Sequence, residues 1–381
     1  MVIVHIVSYF TPIWKYQEYY LAREQVLQGH EVHLITSNLN FPLRNYESVA
    51  KPVLGPRLKN AGSEVVEGFT IHYLPTYFEF WARVWLKGWK GLLKTINPDL
   101  ICCHGITQPF FLTLIHSSVW NCPIIVDEHV LYSDLSASPI KQLFYRTMGI
   151  VFSKKIVARC KKIVAISTGV TELLSKLMGI HTSNIQLIPL GSDVSLFYPS
   201  FEVGQEFRNT HGISPDAKVV GYTGKIWEFK KVHFLIDGAN EWQGPRVEIL
   251  IVGEAMPEYE AFLKEKIKNS KVRVTMLKAV DHECLPAVYN ACDILAWPAH
   301  QTISTINASA CGKPIICSDH LKERFANGQG IGIPSGNYEA FKEALFHLLQ
   351  NPEEARLMGK KGLEWVGKNV SWSTLNKKLL E

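Results

Sequence analysis

The stretch Cys292–Asp319, CDILAWPAHQTISTINASACGKPIICSD, decides the fold that the sequence predicts. Its apolar run Ile294–Trp297 predicts a short buried strand, and a second apolar run, Ile315–Cys317, predicts the next one. A polar loop and an alanine-rich segment lie between the two runs. Strand, loop, helix and strand in this order form the unit of a parallel sheet, because parallel strands need a crossover connection. Ligands of such sheets lie beyond the carboxyl ends of the strands, where loop amides receive anions.

The length and composition of the chain predict two globular domains. A chain of 381 residues is too long for one ordinary core. Apolar residues make up 47% of it, and the net charge of +5 does not indicate a nucleic-acid-binding protein. No apolar run approaches the roughly 18 residues of a membrane-spanning helix. Residues 1–7 have the pattern of a first strand rather than of a signal peptide. The eight cysteines form no CxxC pair, so we expect reduced thiols in a cytoplasmic protein.

Two histidines follow predicted strands in the first half of the chain. The apolar runs Leu100–Cys103 and Ile124–Val126 are followed by His104 and by Asp127-Glu128-His129. Both histidines therefore come where the active-site loops of a parallel sheet belong. A single histidine is more often structural, and His129 is the stronger candidate because two carboxylates precede it.

The second half of the chain repeats the pattern with a cationic loop. A predicted strand, Val219–Thr223, is followed by Gly224 and Lys225, and Lys230 and Lys231 come just before a helical pattern. A glycine allows the backbone to approach a phosphate closely, and two lysines can neutralise a diphosphate. The loop matches neither the P-loop nor the GxGxxG pattern.

Residues 79–96 predict an amphipathic helix that carries tryptophans and cations on different faces. Trp81, Trp85 and Trp89 recur every four residues. The cations of the second stripe are Arg83, Lys87, Lys90 and Lys94. The favoured interpretation is a helix that packs its tryptophans on the sheet, with solvated lysines. The alternative is a peripheral contact with the inner face of a membrane, where such helices bind.

Taken together, the motifs resemble the family 4 retaining glycosyltransferases, which use nucleotide sugars and have the GT-B fold. Each motif is short, and their order and spacing over nearly the whole chain carry the resemblance. The matching segments are Gln28–Val32, Ile188–Asp193 with Phe197 and Pro199, Gly224-Lys225 with Lys230, Leu285–Asp293, and Ala308–Pro314.

The resemblance implies an α/β chain of two Rossmann-like domains that face each other across a central cleft. Residues 1–200 would form the acceptor-side domain and residues 201–381 the nucleotide-sugar-binding domain, with the last helix packing back on the first domain. The family needs no cofactor, and the lack of a DxD motif agrees with a reaction that needs no metal. The nucleotide sugar would be the donor substrate, and a glycan, a lipid-linked molecule or a small hydroxyl compound the acceptor.

The resemblance also implies roles for particular residues. Lys225 and Lys230 would hold the diphosphate and stabilise the charge of the departing phosphate, and His129 would lie near the reacting carbon of the sugar. The implied donor-binding residues are Gly224, Lys225, Lys230, Gly253, Gln301, Thr302, Ile303, Ser304, Thr305 and Asn307. The implied acceptor-side residues are Tyr16, Gln17, His104 and His129.

Some positions depart from the family pattern. The two glutamates that bind the donor sugar and the ribose are replaced by Ala299 and Asn307, and the usual arginine is Lys225. Lys231 replaces a glycine, and Lys15-Tyr16 stands where the first loop has a glycine pair. The leading hypothesis is a retaining transferase of a hexose-type sugar that acts in polysaccharide or glycolipid biosynthesis. The alternatives are a catalytically weak relative that binds a sugar nucleotide or a partner, and a sugar-nucleotide epimerase.

Overall fold

The computed structural model describes residues 1–43, 46–135 and 138–381. They fold as two compact units, of which Met1–Pro189 with Asn376–Glu381 form the first and Leu190–Leu375 the second. The second unit therefore begins ten residues before position 200, where the sequence analysis places the boundary. The reason is close packing around Gly191, since a Cβ atom there would lie 2.8 Å from the carbonyl oxygen of Val370.

The first unit is built on an eight-stranded sheet with the strand order β10-β9-β8-β7-β1-β2-β4-β3. All neighbouring strands are parallel except the antiparallel pair β3 and β4. The strands are β1 (Val2–Ile6), β2 (Glu31–Ser37), β3 (Gly62–Val66), β4 (Phe69–Leu74), β7 (Leu100–His104), β8 (Ile124–Glu128), β9 (Lys162–Ala165) and β10 (Ile185–Leu187), and β5 (Thr76–Phe80) and β6 (Arg83–Leu86) form a separate hairpin.

Helices cover the first sheet. They are α1 (Gln17–Leu27), α2 (Tyr46–Val49), α3 (Lys51–Leu54), α4 (Trp89–Ile96), α5 (Pro109–His116), α6 (Tyr132–Leu135), α7 (Pro139–Arg159) and α8 (Thr168–Lys176). Central strands such as β7 and β8 are buried along their whole length. Strands that are buried on both faces need nearly continuous apolar sequence, which is why these strands were readable from the sequence.

The second unit has a six-stranded, fully parallel sheet with the order β13-β12-β11-β14-β15-β16. Its strands are β11 (Lys218–Thr223), β12 (Val247–Val252), β13 (Val274–Leu277), β14 (Ile294–Trp297), β15 (Ile315–Ser318) and β16 (Gly330–Ile333). Its helices are α9 (Phe201–Thr210), α10 (His233–Glu241), α11 (Pro257–Lys268), α12 (Leu285–Ala291), α13 (Ser304–Ala310), α14 (Tyr338–Gln350) and α15 (Pro352–Trp365), followed by a π-helical turn (Val366–Val370) and by α16 (Trp372–Leu380), whose last residues belong to the first unit.

Both sheets have the strand order of a doubly wound, Rossmann-like fold, as predicted. In the second unit the order corresponds to 3-2-1-4-5-6, so the winding reverses between β11 and β14. In the first unit it reverses between β1 and β7. Ligands of such folds bind beyond the carboxyl ends of the strands at this switch point. The topology therefore indicates one candidate binding region in each unit.

The prediction of one helix over residues 79–96 is wrong. Residues 76–86 form the β5–β6 hairpin, and only Trp89–Ile96 are helical. Trp81 and Ala82 form the turn with positive φ angles of 47° and 58°, which no helix allows. Buried Val84 and Leu86 alternate with outward-facing Trp85, which is the period of a strand. This alternation, and not the spacing of four residues between the tryptophans, indicates the structure that forms.

Residues 38–70 show no clear strand pattern in the sequence and would be taken as irregular, but they contain β3 and the start of β4. β3 is exposed along most of its length, so it lacks the apolar run that marks a buried strand. All eight cysteines are free thiols, as expected. Among the described residues no helix is long and apolar enough to cross a bilayer.

Candidate active site

The candidate site of the second unit begins where β11 and β12 end. Gly224 and Gly253 have φ angles of 130° and 159°. A Cβ atom on Gly253 would lie 1.8 Å from the carbonyl oxygen of Gly224, so the two loops can touch only because position 253 is a glycine. This contact brings the backbone of two loops together beside Lys225.

Lys225 and Lys230 lie close enough to repel each other. Partial burial, and then the positive charge of Lys225, lower the pKa of Lys230 to about 8. The ammonium groups stack on neighbouring aromatic rings, with Lys225 Nζ 5.0 Å from the ring centre of Trp227 and Lys230 Nζ 5.3 Å from that of Phe229. A lysine with a lowered pKa gains its full charge when an anion binds. The pair therefore suits a ligand with more than one negative charge.

A second set of basic groups extends this region beyond the ends of β14 and β15. Burial, and the positive groups around it, lower the pKa of His320 to about 4. These groups are His300, Arg324 and Lys230, while Asp319 acts in the opposite direction. The rings of His300 and His320 are 5.5 Å apart. We refer to Lys225, Lys230, His300, His320 and Arg324 as the cationic cluster, in which the lowered pKa leaves His320 itself neutral at neutral pH. The cluster lies beside the switch point of the second sheet.

The polar residues predicted to bind the donor have structural partners in the loop before α13. Gln301 is buried, and its amide nitrogen donates to the carbonyl oxygens of Ser318 and Leu321. Arg324 donates to the carbonyl of Thr302 and, over 3.2 Å, to the hydroxyl of Thr305. These bonds hold the loop against the end of β15. Ile303 and Ser304 follow at the start of α13, where the side chain of Ile303 is exposed.

Asn307 is also engaged within the second unit. It is buried, and its carbonyl oxygen accepts a hydrogen bond of 2.8 Å from the hydroxyl of Ser192. The amide nitrogen is therefore the group that Asn307 can offer to a ligand. Ala299 is buried as well and adds no polar group. Neither position reproduces a carboxylate, so any replacement for the acidic pair must come from other residues of the cluster.

The candidate site of the first unit is a hydrogen-bonded chain centred on Asp127. Oδ2 of Asp127 accepts a bond of 2.7 Å from Nδ1 of His104 and another of 2.7 Å from the amide of Gln17. Nε2 of His129 lies 3.6 Å from Oδ1. The structure brings His104, His129 and Gln17, three of the implied acceptor-side residues, to one carboxylate. Tyr16, the fourth residue of that set, is exposed and lies just before α1.

The hydrogen bonds assign the protons of this chain. The carbonyl oxygen of Gln25 can only accept, so His5 must donate from Nε2, over 2.8 Å. A neutral His5 then accepts at Nδ1 from Nε2 of His104, over 2.9 Å. His104 also donates to Asp127, so it carries both protons and is an imidazolium. Burial and the charge of His104 lower the pKa of His5 to about 3, in agreement with its neutral form.

Electrostatic interactions keep Asp127 and His129 charged. Burial opposes each charge, but the imidazoles of His104 and His129 hold the pKa of Asp127 well below its usual value. Desolvation likewise opposes protonation of His129, and the carboxylate of Asp127 raises its pKa to about 9. The side chain of His129 is 38% exposed, so at neutral pH it presents a positive N–H to solvent. Such a group can donate to a sugar hydroxyl or to a phosphate oxygen.

Glu128 and Glu18 complete this region in different ways. Glu128 accepts from the backbone N–H groups of Ile106, His129 and Val130, which ties together the loops after β7 and β8. Oε1 of Glu18 lies 3.9 Å from Nδ1 of His104. Glu18, His104 and His129 have the composition of a metal site, with ligand atoms within 4.8 Å of one another. A metal needs a lone pair on each imidazole, however, and both ring nitrogens of His104 donate hydrogen bonds.

Comparisons with known proteins agree with this architecture. A model described as Glycosyltransferase Family 4 matches residues 18–196, and one described as Glycosyl transferases group 1 matches residues 217–351. Together they span most of the chain, including His104, Asp127, His129 and the cationic cluster. The chain belongs to family 4 of the glycosyltransferases. Its fold is therefore GT-B, as predicted.

Individual relatives of this glycosyltransferase are distant in sequence. The D-inositol 3-phosphate glycosyltransferase of Segniliparus rotundus is 26% identical over 348 residues, which cover 81% of this chain and 74% of the relative. Sucrose-phosphate synthase from Thermosynechococcus elongatus has a TM-score of 0.72 and 18% identity, covering all of this chain and 97% of the other. HepE from Anabaena, solved with UDP-glucose, has a TM-score of 0.64 and 17% identity, with coverage of 100% and 98%. The two structural matches show the fold alone.

Several residues of these sites were not among the predicted ones. In the sequence Asp127 stands out only as a neighbour of His129. His5 and Gln25 carry no functional signal there, because they lie within a strand and a helix of the core. His320 and Arg324 follow the end of β15, and their position after a strand was the available signal.

The pH dependence of stability tests the assignment around Asp127. The pKa of Asp127 is lowered in the folded protein, so its carboxylate stabilises the fold above about pH 4, its usual pKa. The pKa values of His104 and His129 are raised, so their imidazolium forms stabilise the fold most below about pH 6.5. We expect Asp127→Asn to reduce the free energy of unfolding by about 3 kcal/mol between these pH values. The difference should shrink as the pH rises through 9, where His129 loses its proton. Urea denaturation of both proteins from pH 4.5 to 9.5 measures it; a constant difference would contradict the assigned charges.

Proposed function

We propose that the chain is a retaining glycosyltransferase that moves a hexose-type sugar from a nucleoside-diphosphate sugar to a hydroxyl group of a glycan, a lipid or a small acceptor. The observation that carries the proposal is the cationic cluster beside the switch point of the second unit. Five basic side chains meet there in the loops after β11, β14 and β15, and a diphosphate is an anion whose charge suits the lysines and the arginine among them. The UDP-glucose bound by HepE and the name of the Segniliparus enzyme support the same class of donor and reaction.

In this proposal Lys225 and Lys230 bind the diphosphate and stabilise the charge that develops when the bond to the sugar breaks. Thr305 already donates its amide to the carbonyl of Thr302, so further donors would be the amides of Thr302, Ile303 and Ser304. Retention would proceed on one face of the sugar, with the leaving phosphate accepting the proton of the acceptor hydroxyl. His129, held charged by Asp127, would donate a hydrogen bond near the reacting carbon. No metal and no cofactor take part.

A second candidate is a catalytically weak relative that binds a sugar nucleotide or a partner. The specific observation in its favour is the absence of a carboxylate at positions 299 and 307, together with the bond that occupies the oxygen of Asn307. Asn307 would then serve to hold the segment around Ser192 rather than to bind ribose. Both candidates need the cationic cluster, and they differ in turnover.

Binding of nucleotides tests the donor site directly. A ligand that binds only the folded protein raises its melting temperature, and at 100 times Kd it adds about 2.7 kcal/mol to the stability. In a panel of nucleoside diphosphates and their sugars, we expect one base to stabilise the wild type. Lys225→Ala with Lys230→Ala should abolish the shift. Lys360→Ala, an exposed lysine of α15, is the control and should keep it. A shift that survives the double substitution would place the donor elsewhere.

The pKa of Lys230 gives the same site a signature in pH. Below about 8 the free lysine is protonated, and above this value binding of an anion must take up a proton. We therefore expect nucleotide affinity to fall by up to about tenfold per pH unit above pH 8. Lys230→Arg keeps its charge at all these pH values and should flatten the profile. Calorimetric titrations at pH 7.5, 8.5 and 9.5 compare the two proteins; identical slopes would rule out Lys230 as the titrating group.

Turnover of the donor distinguishes the candidate functions. A transferase should release the nucleoside diphosphate quickly only when an acceptor is present, an epimerase should isomerise the donor alone, and a binding relative should leave it unchanged. His129→Ala should lower kcat by about 100-fold while donor binding in the thermal assay is retained. Nucleotide release and the anomeric configuration of the product, followed by NMR, are the measurements. Inversion of the anomeric centre would contradict a retaining transferase.

A further inference from the structure

The outer face of the β5–β6 hairpin is apolar, although the hairpin already buries its other face. In the pairing of the two strands, Phe78 lies opposite Trp85, and Glu79 opposite Val84. Val84 is fully buried in the core of the first unit. Phe78, Phe80 and Trp85 point the other way and are 58%, 53% and 41% exposed. A two-stranded unit with one face on the core normally carries polar residues outside. The outer face therefore suits an apolar environment.

The turn of the hairpin holds a tryptophan at its tip. Trp81 and Ala82 both have positive φ, a conformation that strains residues with a Cβ atom and that two-residue hairpins usually assign to Asn-Gly. Trp81 is half exposed, and its ring stacks at 5.2 Å on that of Phe80. The fold thus maintains a strained turn with a large aromatic side chain in solvent. Strain of this kind points to a function of the side chain.

The apolar surface continues from the hairpin onto α7. The ring of Trp81 meets that of Phe144 edge to face at 6.4 Å, and the guanidinium of Arg83 lies 4.6 Å above Phe144. Further along α7, apolar side chains recur on one exposed face. They are Ile140, Leu143, Ile150, Val151 and Val157, and Ile150 is 86% exposed. We refer to the outer face of residues 76–86 and this face of α7 as the hairpin–α7 surface.

The charges of the two segments that form this surface are positive with one exception. Helix α7 contains five basic residues and no acidic one, namely Lys141, Arg146, Lys154, Lys155 and Arg159. Residues 76–96 add Arg83, Lys87, Lys90 and Lys94. The single acid among them, Glu79, is bound by Arg57 over 2.6 Å and by Tyr9. Two copies of such a surface would bring like charges together, which disfavours self-association.

We propose that the hairpin–α7 surface docks the protein on an anionic lipid bilayer. Phe78, Phe80, Trp81 and Trp85 lie at the level of the headgroups, where aromatic side chains are favoured, and the basic residues contact lipid phosphates. This inference goes beyond the proposed function and does not depend on the donor site. The docked protein acts at a membrane surface, so an acceptor anchored in that bilayer comes within its reach.

Vesicle sedimentation tests the docking. The purified full chain should sediment with vesicles of phosphatidylcholine and phosphatidylglycerol at low salt, and much less with phosphatidylcholine alone. High salt should release it, because screening weakens its attraction to the anionic surface. Equal sedimentation with both vesicles, or none with either, would overturn the proposal.

A turn exchange separates docking from folding. Trp81→Asn with Ala82→Gly introduces the preferred turn sequence, so the melting temperature should stay or rise. Vesicle binding should nevertheless fall by about tenfold, because the tip aromatic is lost. Val65→Ser removes an exposed apolar residue from β3, at the edge of the eight-stranded sheet of the same unit, and is the control that should bind normally. An equal loss in both variants would show a non-specific apolar effect and would overturn the proposal.

Charge reversal tests the second half of the surface. Lys154→Glu with Lys155→Glu should lower binding to anionic vesicles by about tenfold. Lys360→Glu with Lys361→Glu, an adjacent exposed pair on α15, makes the same change of net charge elsewhere and should bind normally. Size-exclusion chromatography tests whether a second copy of the chain binds this surface instead. If the protein does not bind vesicles but forms a dimer that the turn exchange abolishes, the surface is a dimer interface.

Discussion

The parallel strands of a sheet run in the same direction, so their carboxyl ends lie along the same side of the sheet. This constraint locates both candidate sites. In the first unit it gathers His104, Asp127 and His129 at the ends of neighbouring strands β7 and β8. In the second unit it gathers the loops after β11, β12, β14 and β15. Residues far apart in sequence become neighbours without any local signal. The reversal of winding then opens a crevice where no helix covers the ends of the strands.

Both sites lie at the carboxyl ends of strands, but they differ in their electrostatics. In the first unit a buried carboxylate attracts imidazoles and keeps His129 charged. In the second unit cations crowd together, and burial and repulsion lower the pKa values of Lys230 and His320. The charges of the first site are balanced within the protein, whereas the second site is stabilised only when an anion binds. Binding energy is therefore available in the second unit before any sugar contact is made.

Sequence patterns predicted the elements whose residues are buried, and they failed where the residues of an element are largely exposed. Strand Ile294–Trp297 has the predicted bounds, because a continuous apolar run marks a strand that is buried along its whole length. The β5–β6 hairpin was misread because aromatic residues on its outer face imitate a helical spacing. The proton arrangement of His5 and His104 could not be predicted, since it depends on which atoms meet in space. The role of Asn307 likewise depends on its bond to Ser192.

The buried polar chain of the first unit also extends away from Asp127. Gln25 donates to Asn376, 351 residues later, over 3.0 Å, and Asn376 donates to Gln28 over 3.1 Å. Asn376 thereby orients the amide of Gln25 toward His5, and so the direction of every hydrogen bond as far as Asp127. During synthesis the ribosome must make the whole second unit before this residue emerges. The first sheet is made early, but its internal polar chain is completed only by a segment that follows the whole second unit.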